Sequence, residues 1–342
     1  ELVETDIQGR ELLPEELTFT NTKPYVIYGF AAVPNGETAT INPGARLHFH
    51  NNSGLLVTEG ASININGAFS ADKDLLENEV ILEGDRLEPS FSEIPGQWSA
   101  VWLLDGSINS SINYTTIKNA TVGILCDGNP DEVSNKINLN NTQIYNSSAF
   151  GILGRNTSIK GENMVINNSG QSSFAGTIGG KYNFTHCTLA NYWNNGFRQF
   201  PSVLLNNFAV DADNNAVLAD LTEANFNNCI IYGNDNPEFI LDQQGDDFSF
   251  KFTNCLLRFD NSNLEGTTNY IFSDSNFYEN NIFNQDPDFK APFNNLMQIG
   301  EDSGANGIGS TIFSTQVSFD LLNTSRSASP DAGAFESVIF DD

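Results

Sequence analysis

Asp211 and Asp213 stand one residue apart just past the aliphatic Val210. On a strand or an extended turn, alternate residues face one way. Two carboxylates so placed are the start of a Ca²⁺ site, and a nearby basic side chain would then serve to abstract a proton beside a sugar carboxylate. Arg198, upstream in the chain, is the residue for that role. The same residues also read as a solvated turn. Asp246 and Asp247 follow Gly245, with Asp242 close before them. Paired carboxylates are the acid and base of glycoside hydrolysis, while the position between Ile240 and Phe248 equally suits a polar connecting loop.

Tyr192, Trp193, Phe197 and Phe200 form the densest aromatic group and surround Arg198. Exposed aromatic faces stack on sugars, and a guanidinium pairs with anionic groups. The other reading is that they pack beneath a long loop from Asn191 to Pro201. The three histidines, His48, His50 and His186, do not make a His-rich metal centre, although His48 and His50 would share a strand face. No Gly-x-Ser-x-Gly elbow accompanies His186, which is expected to point outward because it precedes an inward residue. Cys126, Cys187, Cys229 and Cys255 show no Cys-x-x-Cys pair or zinc-type spacing and are expected to be buried, free thiols.

Forty-three acidic and 15 basic residues give a net charge of −28. That field repels phosphate backbones and anionic lipid surfaces, which argues against a nucleic-acid partner. No apolar run approaches the roughly 20 residues of a membrane span. The chain opens at Glu1 without the segments of a signal peptide, as a mature or trimmed exported protein would.

A repeat sets the elements that must position these groups. YNFTHCTLAN from Tyr182, ANFNNCIIYG from Ala224 and FKFTNCLLRF from Phe250 each place a large residue three before a cysteine and an aliphatic one two after it. With the cysteine position as zero, the series reads Thr115, Thr142, Met164, Cys187, Phe208, Cys229 and Cys255, at intervals of 27, 22, 23, 21, 21 and 26. Position +2 is always aliphatic: Ile117, Ile144, Ile166, Leu189, Val210, Ile231 and Leu257. Position −3 is Ile112, Leu139, Gly161, Phe184, Leu205, Phe226 and Phe252, broken by the one glycine.

Apolar residues at −5, −3, 0 and +2 describe two period-2 strands with a one-residue slip between them, which is a corner. Asn119, Asn146, Asn168 and Asn191 at +4 mark a second corner, where asparagine tolerates left-handed backbone and stacked amides bond along the axis. Period 3.6 is absent, which argues against a helical solenoid. A further copy is expected near Phe277, Ile282 and Asn284. The fold class expected is all-β: a right-handed, single-stranded parallel β-helix. One domain spans 1–342, with strands and a cap over 1–98, regular coils over 99–285 and a C-terminal capping segment over 286–342. The stretch from Lys73 to Pro95 is rich in charge and is expected to be an insertion or cap.

Several segments resemble the right-handed β-helix proteins of the pectin-lyase-like superfamily, in particular exported bacterial members of unassigned role. They are Asn42-Pro43-Gly44-Ala45-Arg46-Leu47 with the turn at Glu59-Gly60; Pro95-Gly96-Gln97-Trp98; the coils; and the closing Ser329-Pro330-Asp331-Ala332-Gly333-Ala334-Phe335-Glu336. Trp98 and Trp102 are expected to anchor the join between the first strands and the coils. The resemblance implies an exported chain at the cell surface, in the periplasm or outside the cell, with a lipid anchor as one route of attachment. It covers polysaccharide lyases, hydrolases and esterases as well as adhesins and scaffolds, so fold alone does not choose among them. The Gly-His-Gly and Arg-x-Lys elements that accompany the glycosidase carboxylates are missing from this chain. The expectation is a non-catalytic protein presenting Tyr192, Trp193, Phe197 and Arg198 to a glycan or surface component. The alternative is a Ca²⁺-dependent lyase or a glycoside hydrolase using Asp211, Asp213, Asp246, Asp247 and Arg198; Ca²⁺ is the one cofactor that reading brings in.

Overall fold

A computed structural model describes residues 8–72, 75–128, 134–326 and 328–340. Among them, 25 strands hydrogen-bond into one wound parallel system. Each coil contributes to three sheets. The first sheet stacks Phe30–Val33 on Gly54–Val57, then Val101–Leu103, Val122–Asp127, and onward to Val203–Asn206 and Phe239–Asp242. The second runs from Thr18–Phe19 through Thr38–Ile41 and Ser62–Asn66 to Lys251–Thr253 and Tyr278–Glu279. The third runs from Tyr25–Ile27 through Arg46–Phe49 and Val80–Gly84 to Leu256–Leu257 and Ile282–Phe283. Long strands such as Ser110–Lys118 and Ile137–Ser147 turn the corner between the second and third sheets without a break.

The repeat register follows directly. Ile112, Leu139, Gly161, Phe184, Phe226, Phe252 and Tyr278 pair in succession, and so do Ile117, Ile144, Ile166, Leu189, Ile231 and Leu257. These side chains fill the interior: Ile117, Ile144, Leu189, Phe226 and Cys255 are 0% exposed. The rings of Phe184, Phe226, Phe252 and Tyr278 stack down the axis at centroid distances of 5.5, 4.9 and 5.5 Å. That column explains the exception at Gly161, where a Cβ would lie 2.7 Å from the Phe184 ring and 2.6 Å from Met164 Sδ.

Both corners need left-handed backbone. The slip between strands falls at −1, where Asn141, Asn163, His186, Asn228 and Asn254 all have φ near +50°. The +4 asparagines Asn119, Asn146 and Asn168 adopt φ of 64°, 57° and 58°. They form the axial ladder: Asn146 Nδ2 donates to Asn119 Oδ1 at 3.2 Å, and Asn168 Nδ2 to Asn146 Oδ1 at 2.6 Å.

Three expectations are corrected. Phe208 does not belong to the file, because Thr188 pairs with Ile230 and Leu189 with Ile231 in a single long coil. Phe208 instead begins an antiparallel hairpin, Phe208–Val210 with Ala216–Leu218, which projects from that coil and leaves Val210 exposed. The stretch from Lys73 to Pro95 is not wholly an insertion: Val80–Gly84 is a third-sheet strand with Val80 and Leu82 in the core. Lys73 itself lies outside the described residues. The copy near Phe277 exists one residue out of the expected register, with Tyr278 and Phe283 in file and Ile282 facing outward beside Leu256.

Phe259, Tyr270 and Phe272 pack against one another and, through Phe272, onto Tyr278 and Phe283 of the last rung. The segment after 286 lies along the side of the stack, on the outer face of the third sheet. There Phe289, Met297, Ile299, Leu321, Ala334 and Phe335 bury Val165, Ala190, Ile230 and Leu256. Its closing motif is pressed against the coils: Gly333 N donates to Asn228 O, and Ala334 N to Thr188 Oγ1. Gly333 has φ of +94°, and a Cβ there would meet Ile230 Cδ1 at 2.7 Å, so only glycine fits.

Candidate functional site

The loop between the third-sheet strand Thr188–Asn191 and the first-sheet strand Val203–Asn206 carries the aromatic group. Arg198 is not available to a ligand. Its guanidinium meets Glu238 in two bonds of 2.6 and 2.8 Å, and both side chains are buried, at 3% and 0% exposed. Further donors of Arg198 reach Asn191 O, Asn234 Oδ1 and Phe200 O. Ser202 N also donates to Glu238, and Asn234 Nδ2 to Trp193 O. A charged pair buried this way depends on further hydrogen bonds to its donors and acceptors; here both terminal nitrogens of Arg198 are met, by Phe200 O of the loop, Asn191 O at its start and Asn234 Oδ1 of the neighbouring coil, while Nε is buried without a partner among the described residues. The loop is thereby pinned at its base.

Its aromatics then divide. Tyr192 turns inward against Phe289 and Phe293, at centroid distances of 5.9 and 5.5 Å, and burial pushes its phenol pKa up. Trp193 is half-buried. Phe197 is 86% exposed and Phe200 is partly exposed. Of the expected group Tyr192, Trp193, Phe197 and Arg198, the surface thus keeps Trp193 and Phe197, with Phe200 in the same loop.

The acidic candidates lie elsewhere. Asp211 and Asp213 sit in the turn of the projecting hairpin, across the width of the first sheet from Arg198. Asp211 Oδ1 accepts from the backbone N–H groups of Asn215 and Asp213, and these bonds hold its pKa below the usual carboxylate range. That carboxylate closes its own turn. Asp242 ends the strand Phe239–Asp242, and Asp246 and Asp247 lie in the loop before Phe248; all three are exposed, and Asp247 O accepts from Leu221 N and Asn207 Nδ2. Among the described residues, no group of three or more His, Cys, Asp or Glu side chains is placed to hold a metal ion.

His186, expected to point outward as a surface side chain, does face away from the interior but is fully buried there beneath the C-terminal segment, beside Ser314 Oγ and Asn228 Nδ2. All four cysteines are free and buried, as expected, and burial pushes the Cys126 thiol up to about 12. Trp98 stacks on Phe49 at 4.2 Å inside the stack, while Trp102 lies on the outer face of the first sheet and donates to Asp127 Oδ2. Lys136, 1% exposed, directs its ammonium to the carbonyl oxygens of Leu104 and Asp127.

One site was not anticipated. A cleft of about 410 Å³ opens where the C-terminal segment ends its cover of the third sheet. Its floor is Thr116, Lys118, Gln143 and Tyr145 on neighbouring strands. One wall is Leu76, Glu79 and Glu93, and the other is 294–298 with Leu321, Leu322 and Phe335. Glu93 Oε2 accepts from Asn146 Nδ2 at 2.7 Å and from Asn295 Nδ2 at 3.3 Å, so the carboxylate is held by one amide from each side. Tyr145 donates to Gln143 Oε1, and burial, followed by the charges of Glu79 and Glu93, raises its pKa.

Compared with known proteins, no family model matches the chain, and no curated protein matches it. No helix among the described residues is long and apolar enough to cross a membrane.

Proposed function

We propose that the protein is an exported, non-catalytic β-helix of pectin-lyase-like type that presents the 192–202 loop to a glycan or another surface component. The observation that carries this reading is the contrast between adjacent residues: Arg198 is buried in a bidentate ion pair, while Phe197 beside it is 86% exposed. A large apolar side chain left in water loses about 1.5–3 kcal/mol relative to burial. On a loop held rigid at its base, such a side chain is pre-organised for a partner. Trp193 and Phe200 give it aromatic neighbours, and aromatic faces suit the C–H face of a sugar.

The competing reading, polysaccharide degradation, requires carboxylates and a base in one groove. Asp211 and Asp247 stand apart from Arg198, which is engaged with Glu238. The test is a panel of neutral and uronic-acid polysaccharides, scored both for binding and for new reducing ends or unsaturated products. Binding that falls at least about tenfold in Phe197→Ala, without turnover, is the expected result. Turnover that disappears in Asp211→Ala or Asp247→Ala would overturn it.

A further inference from the structure

The outer face of the first sheet carries a column of apolar side chains. Strand alternation sends Leu55, Val101, Ile124, Ile152, Val203 and Phe239 inward, so the residues beside them face out. Leu56, Trp102, Leu125 and Leu153 pair in succession, and Ala175 carries the column on to Leu204 and Ile240. Ala175 is fully buried, whereas the larger side chains of the column are all partly exposed. None of them is in the apolar cluster that the C-terminal segment builds on the third sheet. At ~4.8 Å per rung the column is roughly 29 Å long.

One flank of the column is acidic. The strand ends and turns that lead from the first sheet to the second carry Glu59, Asp105, Asp220, Asp242, Asp246 and Asp247, all exposed. On the same flank Arg155 is bound to Asp127 by two bonds of 2.5 and 2.7 Å, and Lys136 is 1% exposed, so neither offers its charge to a partner. Those turns hold no other Lys or Arg among the described residues. The chemistry selects one occupant. Leucine and isoleucine offer a sugar neither a π-face nor a hydrogen bond, and a second copy would bring the same acidic flank against this one. A partner needs apolar side chains in a line and positive charge beside them. An α-helix supplies both: its apolar stripe returns once per ~5.4 Å turn against ~4.8 Å per rung, and about 20 residues span the column. We propose that the outer face of the first sheet docks a basic amphipathic helix of a partner protein. The apolar stripe of that helix lies on the column from Leu56 to Ile240, and its Lys or Arg side chains reach towards the acidic turns.

The probe is a dye-labelled peptide of about 20 residues, built from leucine and lysine with leucine at i, i+3, i+4 and i+7, titrated into the full chain by fluorescence anisotropy. One control has the same composition with the leucines scattered round the helix, and the other has glutamate in place of lysine. Saturable binding is expected, at least about tenfold tighter than either control and weakening as salt is added. Leu153→Asp adds negative charge, so a general attraction of a chain of net charge −28 for any cation would leave binding as strong or stronger. Loss of the apolar contact should instead weaken it at least about tenfold. Leu204→Asn repeats the test without a charge, and because both side chains face out, both variants should melt with the parent. Equal binding of the scattered peptide would overturn the proposal, as would parent-like affinity in both variants or no saturable binding. Displacement of the peptide by a neutral glucan would overturn it in favour of a glycan, and self-association of the chain that Leu153→Asp abolishes would overturn it in favour of a second copy.

Discussion

Asn228 Nδ2 lies 2.9 Å from His186 Nε2, one coil further along the axis, and Ser314 Oγ of the C-terminal segment lies 2.9 Å from the same nitrogen. An amide nitrogen donates, so the imidazole accepts through Nε2 and is neutral. The histidine thus takes the corner position held by asparagine in adjacent coils, and fastens the C-terminal segment to the stack.

The first prediction concerns acid. Burial, with the Arg326 charge second, depresses the His186 pKa from 6.5 to about 2. The unfolded chain therefore takes up a proton at 6.5 that the folded chain refuses. The stability contributed by the neutral ring is complete above pH 6.5 and is lost as pH falls from there towards 2, by up to about 1.4 kcal/mol per pH unit. His186→Asn installs the residue found at the equivalent positions 163 and 228 and removes this dependence. Urea denaturation at pH 7.5, 6, 5 and 4 should show a steeper loss in the parent than in the variant. Parallel curves would mean that His186 titrates normally in the folded protein.

The second prediction concerns the base of the loop. Removing one partner of a buried ion pair strands the other, at a cost of about 3–5 kcal/mol, whereas replacing both by apolar residues is close to neutral. Arg198→Met and Glu238→Leu should each destabilise by about that amount, and the double variant should recover most of the loss. The single variants should also speed amide exchange in the 192–202 loop. If the two single losses simply add, Arg198 and Glu238 are not coupled, and the loop is held by something else.

How much of this was legible depends on where each signal lies along the chain. The inward files were readable because residues at a constant offset face the same interior, so Ile144 and Leu189 announce themselves. Phe208 was misread because Leu205, Phe208 and Val210 reproduce the −3, 0 and +2 spacing, although Leu205 faces the interior from the first sheet. Offsets alone do not distinguish a long coil carrying a hairpin from two short coils. His186 does point out of the coil, as alternation from the inward Cys187 implies, but it is not a surface side chain because the C-terminal segment covers it there, and that cover is invisible to the local pattern. The cleft had no local signature at all, since Glu93, Tyr145 and Asn295 come from segments far apart in the chain and meet only when the last one folds back. The aromatic loop was visible in outline, but the pairing of Arg198 with Glu238, rather than with a ligand, depends on two neighbouring coils.

The third prediction separates the interior from the corners. Ile144 is fully buried between Ile117 and Ile166, so Ile144→Asp places a carboxylate among aliphatic side chains with no partner. That change should cost several kcal/mol or abolish folding. By its position alone a corner asparagine is expected to matter far less, yet Asn146 donates to Asn119 and Glu93 and accepts from Asn168 and Asn295. Its left-handed φ of 57° adds a further cost for a residue with a Cβ and no polar side chain. Asn146→Ala should therefore cost about 2–4 kcal/mol, since it leaves buried amide partners unsatisfied. Asn146→Gly, which relieves the backbone but not the ladder, should fall between the parent and alanine. Chemical denaturation of the three variants gives the order directly. If Ile144→Asp unfolded at the parent's denaturant concentration, position 144 would have to lie outside the stack and the register of every coil would be wrong. If Asn146→Ala were neutral, the axial ladder would contribute nothing to holding the coils together.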